Sequence, residues 1–365
     1  MNASNAVAQV AFLTNLQRLL EEGSFVATYK FALLLSLADL AVEKGDDSDR
    51  RLRLSTDEIA EKFITYYWRQ VAPFPAVATS PAVLAQNTGR QASIVNTVER
   101  ARGGFGDSLP QARLRGAAWR RAVRRVARTI EQMPLWKLQT VSTGPHEFLY
   151  RNQPGAKEIE LLPGVSRHFR AFHSLVLSLV QGAWVRFVRQ LPANQPLLGG
   201  AVGLDEFLFG SERAPLSAAQ PLLREVQDNR CLYCRERIAG VAEVDHFVPW
   251  VRYPVDLGHN LALAHPRCNR MKRDYLAAVP HLKNLQERNR AHEDRLRRGF
   301  EAAGILHDAT ATSRVAEWAY GTAERAPSLV WLKGSDLVPL DPSWRTYLLW
   351  SPPAFAAAQG GPEPE

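Results

Sequence analysis

The sequence predicts an α+β protein, mostly α-helical, in which a helical N-terminal region precedes a small strand–strand–helix module. Three observations predict it. Apolar residues recur at helical spacing through much of the first two hundred positions. All three cysteines of the 365-residue chain fall between Cys231 and Cys268. Within that stretch, a short apolar run ending in Asp245-His246 is followed by a second run in "GHNLAL" and then by a helix opening near Pro266. The expected organisation is a helical domain over 1–150, a helical connector and linker over 151–215, the module over 216–299, an α/β extension over 300–350 and a disordered tail over 351–365.

Each element has its own signal. Thr14 opens "TNLQRLLEEG", and Gly23 can close it in a left-handed cap. A second helix runs from about Ser24 to Glu43, and its apolar core, Phe31 to Val42, reads as a buried helix, because it contains Asp39 and falls short of the about 20 residues that span a bilayer. Ser55 and Glu58 have capping-box spacing, so a helix begins there and ends before Pro73. Tyr66, Tyr67 and Trp68 on it suit a core, or stacking on bases. Proline and polar residues from Ala72 to Gln91 suggest a loop. From about Pro110 to Ile130, Trp119, Val123, Val126 and Ile130 form an apolar stripe, while Arg113, Arg120, Arg124 and Arg128 line another. "EFLYRN" and "KEIELL" around Pro154-Gly155 suggest a hairpin, Ser166 to Gln190 one long helix, and Leu191 to Pro215 a linker. A short helix near Ala218 to Val226 leads into the module, and a charged helix from Leu282 to Gly299 follows it. "LVWLKG" and "YLLW" read as strands.

Composition narrows the function. No N-terminal stretch combines a basic segment, an apolar segment and a small-residue cleavage site, so a cytoplasmic protein without a membrane partner is expected. Three cysteines are too few for a disulfide framework and suit a metal site in a reducing compartment. The formal net charge is +8, which favours an anionic partner such as nucleic acid. That charge is carried mostly by arginine, with Lys supplying only 8 of the 45 basic residues. Between Arg102 and Ile130 there are eight arginines and one acid, Asp107. The stripe is either a phosphate-tracking face or a solvated helix surface.

The chemistry concentrates at "CLYCRERIAGVAEVDHFVPWVRYPVDLGHNLALAHPRCNRMK". Cys231 and Cys234 form a C-x2-C knuckle, and His265 and Cys268 an H-x2-C pair, with 30 residues between the pairs. Three thiolates and one imidazole make a closed tetrahedral set that suits structural Zn²⁺. Hydrolysing a phosphodiester needs a base for water and a cation for the charge on phosphate. His246 is the candidate base, since imidazole titrates near neutral pH. Asp245 and Asn269 offer hard oxygen ligands for a single Mg²⁺ or Mn²⁺. Lys272 and Arg273, about one turn beyond Asn269, can reach flanking phosphates, and His259, His281 and His292 are assigned to packing or solvent.

The order Asp-His, Asn, Asn, with Asn260 and Asn269 lying 14 and 23 residues after His246 and a zinc-ligand pair at either end, resembles an HNH endonuclease domain of the ββα-metal class. Asparagine replaces the last histidine, an HNN variant, and His265 stands where a cysteine is usual. The resemblance covers about Asn229 to Leu276. It implies an endonuclease that cuts DNA, RNA not being excluded, to 5′-phosphate and 3′-hydroxyl ends, with Asn260 bracing the loop that carries His246. It also implies a restriction or anti-phage defence setting with a protein partner. The competing expectation is a catalytically inactive, zinc-stabilised nucleic-acid-binding protein.

Overall fold

The apolar run Phe31–Val42 forms a helix buried on nearly every side, and the N-terminal half of the protein is built around it. In the computed structural model, which describes residues 3–75, 82–89, 93–198, 203–210 and 216–348, the chain divides into two compact units, Met1–Ala214 and Pro215–Glu365. The predicted tail lies outside the described residues.

In the first unit the elements are α1 (Ala3–Glu22), α2 (Tyr29–Lys44), β1 (Leu52–Ser55), α3 (Thr56–Gln70), α4 (Ser93–Phe105), α5 (Leu109–Arg113), α6 (Ala117–Gln132), α7 (Pro134–Lys137), β2 (Thr140–Val141), β3 (Gly144–Pro145), β4 (Glu158–Leu161), α8 (Val165–Ala171), α9 (His173–Gln190), α10 (Gln195–Leu198) and α11 (Leu204–Phe209). Helix α2 packs on α3, α8 and α9. Its buried acid, Asp39, accepts from Tyr66 Oη at 2.6 Å and lies 2.9 Å from His173 Nε2. Burial alone would raise the Asp39 pKa, but His173, Lys62 and Tyr66 outweigh it and hold the carboxyl below its ordinary value. The last carbonyls of α2, which no helical N–H can reach, are capped by the buried Arg170 of α8, whose Nη1 donates to Val42 O and Gly45 O, each at 3.0 Å. Its Nε pairs with Asp47 at 2.7 Å. The capping box at Ser55 and Glu58 opens α3, and Tyr67 and Trp68 lie in the core.

Several expectations from sequence are corrected by tertiary packing. Helix α1 already runs from Ala3, well before Thr14. Gly23 is not left-handed; a Cβ there would meet Leu19 O at 2.3 Å and the Phe25 ring at 2.7 Å, so it serves close approach. Helix α2 starts at Tyr29, not Ser24, because the preceding backbone pairs with residues 86–88 instead. The basic helix is two, broken at Gly116, whose φ of 52° lies in the region that glycine tolerates. The hairpin at Pro154 reduces to one bridge, Tyr150 to Leu161, because β4 pairs antiparallel with the distant β1, setting buried Leu54 opposite Ile159. The single helix over 166–190 bends by 83° between α8 and α9, and among the described residues no single helix is long and apolar enough to cross a membrane. The region expected as linker carries α10 and α11, with α11 packing on α3 and α9.

The second unit follows with α12 (Gln220–Val226), β5 (Glu243–His246), β6 (Leu261–Ala264), α13 (Pro266–Lys272), α14 (Val279–Ala291), α15 (Glu293–Ala302), α16 (Ala309–Arg325), β7 (Leu329–Lys333), β8 (Asp336–Pro339) and α17 (Trp344–Leu348). The charged helix is thus two, α14 and α15, and the segment expected as strand "YLLW" begins in a helix. All four residues of β6 are buried. Strand β7 attaches behind α13 through Trp331 N to Leu276 O at 2.8 Å and Ala278 N to Trp331 O at 2.7 Å. Arg288 of α14, itself buried, donates to Leu261 O at 2.6 Å and His259 O at 3.1 Å, which ties that helix to the start of β6.

His259 is buried, with its ring 5.6 Å from that of Phe300 and neither nitrogen hydrogen-bonded among the described residues. Burial, with the charges of Arg288 and His307, pushes its pKa from 6.5 down to about 3. Below roughly pH 6.5 the unfolded chain therefore binds a proton that the folded chain refuses, so stability is lost as pH falls from there towards 3. Denaturant midpoints of this unit's unfolding should drop between pH 7.5 and 4.5, and His259→Leu should flatten that dependence; an unchanged slope in the variant would contradict the assignment.

Candidate functional site

The cysteine pairs form one cluster. The ligand atoms of Cys231, Cys234, His265 and Cys268 all lie within 4.8 Å of one another. A tetrahedral ion with Zn–S of about 2.3 Å separates its sulfurs by roughly 3.8 Å, so the donor set and spacing fit zinc. The knuckle is local: Arg235 N donates to Cys231 O and Cys231 N to Glu236 O, each at 3.0 Å, with Arg235 in the left-handed region at φ 65°. Leu232 N to Leu263 O, 2.9 Å, stitches the knuckle to β6. His265 precedes the first residue of α13, its Nδ1 is 3.3 Å from Cys234 Sγ, and its Nε2 lies 3.3 Å from Arg237 O. A proton on Nε2 leaves Nδ1 as the ligand atom. Burial and the neighbouring sulfurs raise the thiol pKa of Cys268 and Cys234; a dication among them reverses that balance and makes them thiolates.

Strand β5 pairs antiparallel with β6, with Asp245 opposite Ala262 and His246 opposite Leu261. Helix α13 lies against it. Residues two apart on a strand share a face, and residues three apart on a helix share a side. Glu243 and Asp245 thus meet Asn269 and Lys272 in two rungs. Asn269 Nδ2 donates to Glu243 Oε2 at 2.8 Å. Lys272 Nζ sits 3.0 Å from Asp245 Oδ2 and donates to His246 O at 2.9 Å. Tyr233 Oη donates to the same Asp245 oxygen. Asn269 turns its amide nitrogen to Glu243, which leaves its oxygen for a cation, and Asp245 keeps Oδ1. Asp245, Asn269 and Glu243 carry oxygen donors of the hard type that Mg²⁺ or Mn²⁺ takes. Glu243 and Asn269, with Leu216, Ser217 and Gln220, line a recess of about 320 Å³.

His246 is the last residue of β5, where the chain turns into the following loop. Its Nε2 lies 2.7 Å from Asp256 Oδ1, and its ring is 5.0 Å from that of Trp250. No hydrogen bond joins its ring to Asp245 or Asn269 among the described residues. Asn260 clamps the following loop from its far end: Val248 N donates to its Oδ1 at 2.8 Å, its Nδ2 donates to Val248 O at 3.0 Å, and Phe247 N donates to its carbonyl at 2.8 Å.

One assignment fails outright. Lys272 has no exposed surface, so it cannot touch phosphate; an ammonium held by Asp245 and a carbonyl beneath the helix is structural. Arg273, at φ 50° just past α13, is exposed, as are Arg267 and Arg270. On the first unit, Arg113 turns inward to Thr65 Oγ1 at 2.9 Å and lies over Trp119, and Arg124 pairs with Asp57 at 2.9 Å and with Glu131. Neither presents a free charge. Arg120 and Arg128 are exposed, and so are Arg121 and Arg125. Glu243, Asp256 and Tyr233 were not anticipated. Glu243 had a signal, its two-residue offset from Asp245, whereas Asp256 reaches His246 only through the folded loop.

Two family models match the chain. The model described as a domain of unknown function (DUF8808) covers residues 9–201, more than half of the sequence and all within the first unit. The model described as HNH endonuclease covers residues 231–274, from the first zinc-ligand candidate to just past α13. No curated protein and no solved structure matches.

Removing Lys272 leaves Asp245 and a carbonyl buried without their cation. Lys272→Ala should cost about 3–5 kcal/mol, read as a lowered denaturant midpoint for this unit. A variant as stable as the parent would show that the pair contributes nothing.

Proposed function

The chain belongs to the DUF8808 family and carries an HNH endonuclease domain, and on that premise we propose that it is a metal-dependent endonuclease that hydrolyses DNA phosphodiester bonds to 5′-phosphate and 3′-hydroxyl ends. The observation that carries the reading is His246 at the end of β5, oriented by a carboxylate and directly following Asp245, inside a Cys3His frame. A bare binding module has no use for a histidine so oriented.

In this reading zinc is held by Cys231, Cys234, His265 and Cys268 and closes the module. Mg²⁺ or Mn²⁺, held by Asp245 and Asn269, would neutralise charge on the scissile phosphate and the departing 3′ oxygen. His246 takes a proton from water through Nδ1, and the resulting hydroxide attacks phosphorus as the bond to the 3′ oxygen breaks. The imidazolium pairs with Asp256 until it returns its proton to solvent, and the 3′ oxygen leaves protonated by water. Arg273, with Arg267 and Arg270 beside it, meets flanking phosphates. On α6, Arg121, Arg125 and Arg128 recur at four- and three-residue steps along one exposed side, with Arg120 beside them and no ion-pair partner among the described residues. That face adds sequence-independent affinity for the DNA backbone. A restriction or anti-phage defence nuclease in the cytoplasm, working with a protein partner, is the setting that suits a nuclease module carried on a large helical unit.

Supercoiled plasmid incubated with the protein in Mg²⁺ or Mn²⁺ should be nicked or linearised, and a chelator or His246→Ala should abolish the cutting. Equal cutting by His246→Ala would overturn the assigned base, and no cutting by the parent with any duplex, single-stranded or RNA substrate would favour the inactive binding protein.

The arginine face is read separately, in the His246→Ala background so that DNA stays intact. Replacing Arg121, Arg125 and Arg128 with Gln should flatten the plot of log affinity against log salt by about 0.9 per lost contact, equally for unrelated DNA sequences. An unchanged slope would mean a merely solvated helix surface.

A further inference from the structure

We propose that Asp256 is a positioning residue that fixes the tautomer and the direction of the His246 ring, so that Nδ1 faces the water to be activated. This rests on the nuclease reading above for its purpose, though its geometry stands alone.

A carboxylate only accepts hydrogen bonds. With Asp256 Oδ1 at 2.7 Å from His246 Nε2, the proton of a neutral imidazole belongs on Nε2, and the lone pair is left on Nδ1. The contact is not a loose surface pair, because the two side chains are only 9% and 19% exposed. Nor is Asp256 free to drift. The loop from Val248 to Asn260 is closed by the Asn260 clamp on both polar groups of Val248. Tyr253 and Leu257, both buried, anchor it on either side of Asp256. Leu257 N donates to Val255 O at 2.9 Å, which tightens the turn over which Asp256 projects. The ring itself is confined by Trp250 at 5.0 Å, and its backbone by Lys272 on the His246 carbonyl. The base therefore sits on a strand end and its orienting group on a loop that the fold pins at both ends, an arrangement that sets a ring before any substrate arrives.

The full-length protein labelled with ¹⁵N gives the direct readout: long-range ¹H–¹⁵N correlations of the imidazoles at a pH where they are neutral, with His246 identified by its loss in His246→Ala. The parent should show His246 as a single Nε2–H tautomer. Asp256→Asn, whose amide can donate as well as accept, should give a mixed or reversed tautomer. The same variant should lower kcat for plasmid cutting roughly 10- to 100-fold with KM unchanged, and Asp256→Glu should recover part of the rate. Melting curves accompany both, and Asp256→Ser, read the same way, replaces the Asn variant if that one melts early.

An unaltered tautomer in the variant, or full kcat despite it, would overturn the role of Asp256 while leaving the nuclease intact. If the parent protein cuts no nucleic acid, the nuclease reading falls, and the tautomer comparison still decides whether Asp256 orients His246.

Discussion

The gathering of Cys231, Cys234, His265 and Cys268 into one cluster is the constraint on which the second unit's site depends. The module offers two four-residue strands and a seven-residue helix, too little regular structure to hold polar side chains in register by burial alone. The ligand set joins the knuckle before β5 to the start of α13 after β6. Cys268 belongs to this cluster, so Asn269 stands directly beside it, and Lys272 one turn later lies beneath the strand. The two rungs between α13 and β5 follow from where the ligands place the helix. The packing of α12, α14 and β7 around β6 and the knuckle then encloses the frame without setting its register.

Once that register is set, each polar group of the site is held by another polar group. Asp245 answers to Tyr233 and Lys272, Asn269 to Glu243, His246 to Asp256 and the loop backbone to Asn260. This is the arrangement expected where direction matters more than stability, since a buried ion pair contributes little net free energy compared with apolar packing. Lys272 shows the distinction. Its charge is spent inside, on Asp245 and a carbonyl, so it sets the strand end and is lost to any external phosphate. Substrate charge must be met by residues that no internal acid claims.

What was legible in the sequence was local. Metal ligands two residues apart, a capping box spanning Ser55 to Glu58, a proline-led helix and a strand delivering Asp-His can each be read within a few positions, because the physics that selects them acts over that range. The Cys3His cluster, β5, β6 and α13 fall where the sequence placed them. The failures were long-range. Nothing near Pro154 announces that β4 pairs with a strand about a hundred residues earlier instead of folding back on its neighbour. Nothing in "NRMKRD" distinguishes Lys272, which points in, from Arg273, which points out. Asp256 lies ten residues after His246 in a loop whose path is set by the Asn260 clamp and by the buried Tyr253 and Leu257.

The same limit explains the arginine stripe on α6. Helical periodicity separates its apolar side from its basic side, yet it cannot say which arginines an acid on another helix will claim. Arg124 faces Asp57 at the start of α3, and Arg113 turns inward to Thr65 and Trp119, so half of the face read from sequence is engaged within the unit. Arg121 and Arg125, one position further round, are exposed and make no ion pair among the described residues. An uncompensated row on a rigid helix raises the local potential with no backbone-ordering cost when a polyanion binds, because the backbone that carries it is already fixed. If that row is the phosphate-tracking face proposed above, its attachment to the HNH domain through the chain would add to the charge that Arg267, Arg270 and Arg273 offer beside the site, raising the effective concentration of nucleic acid there.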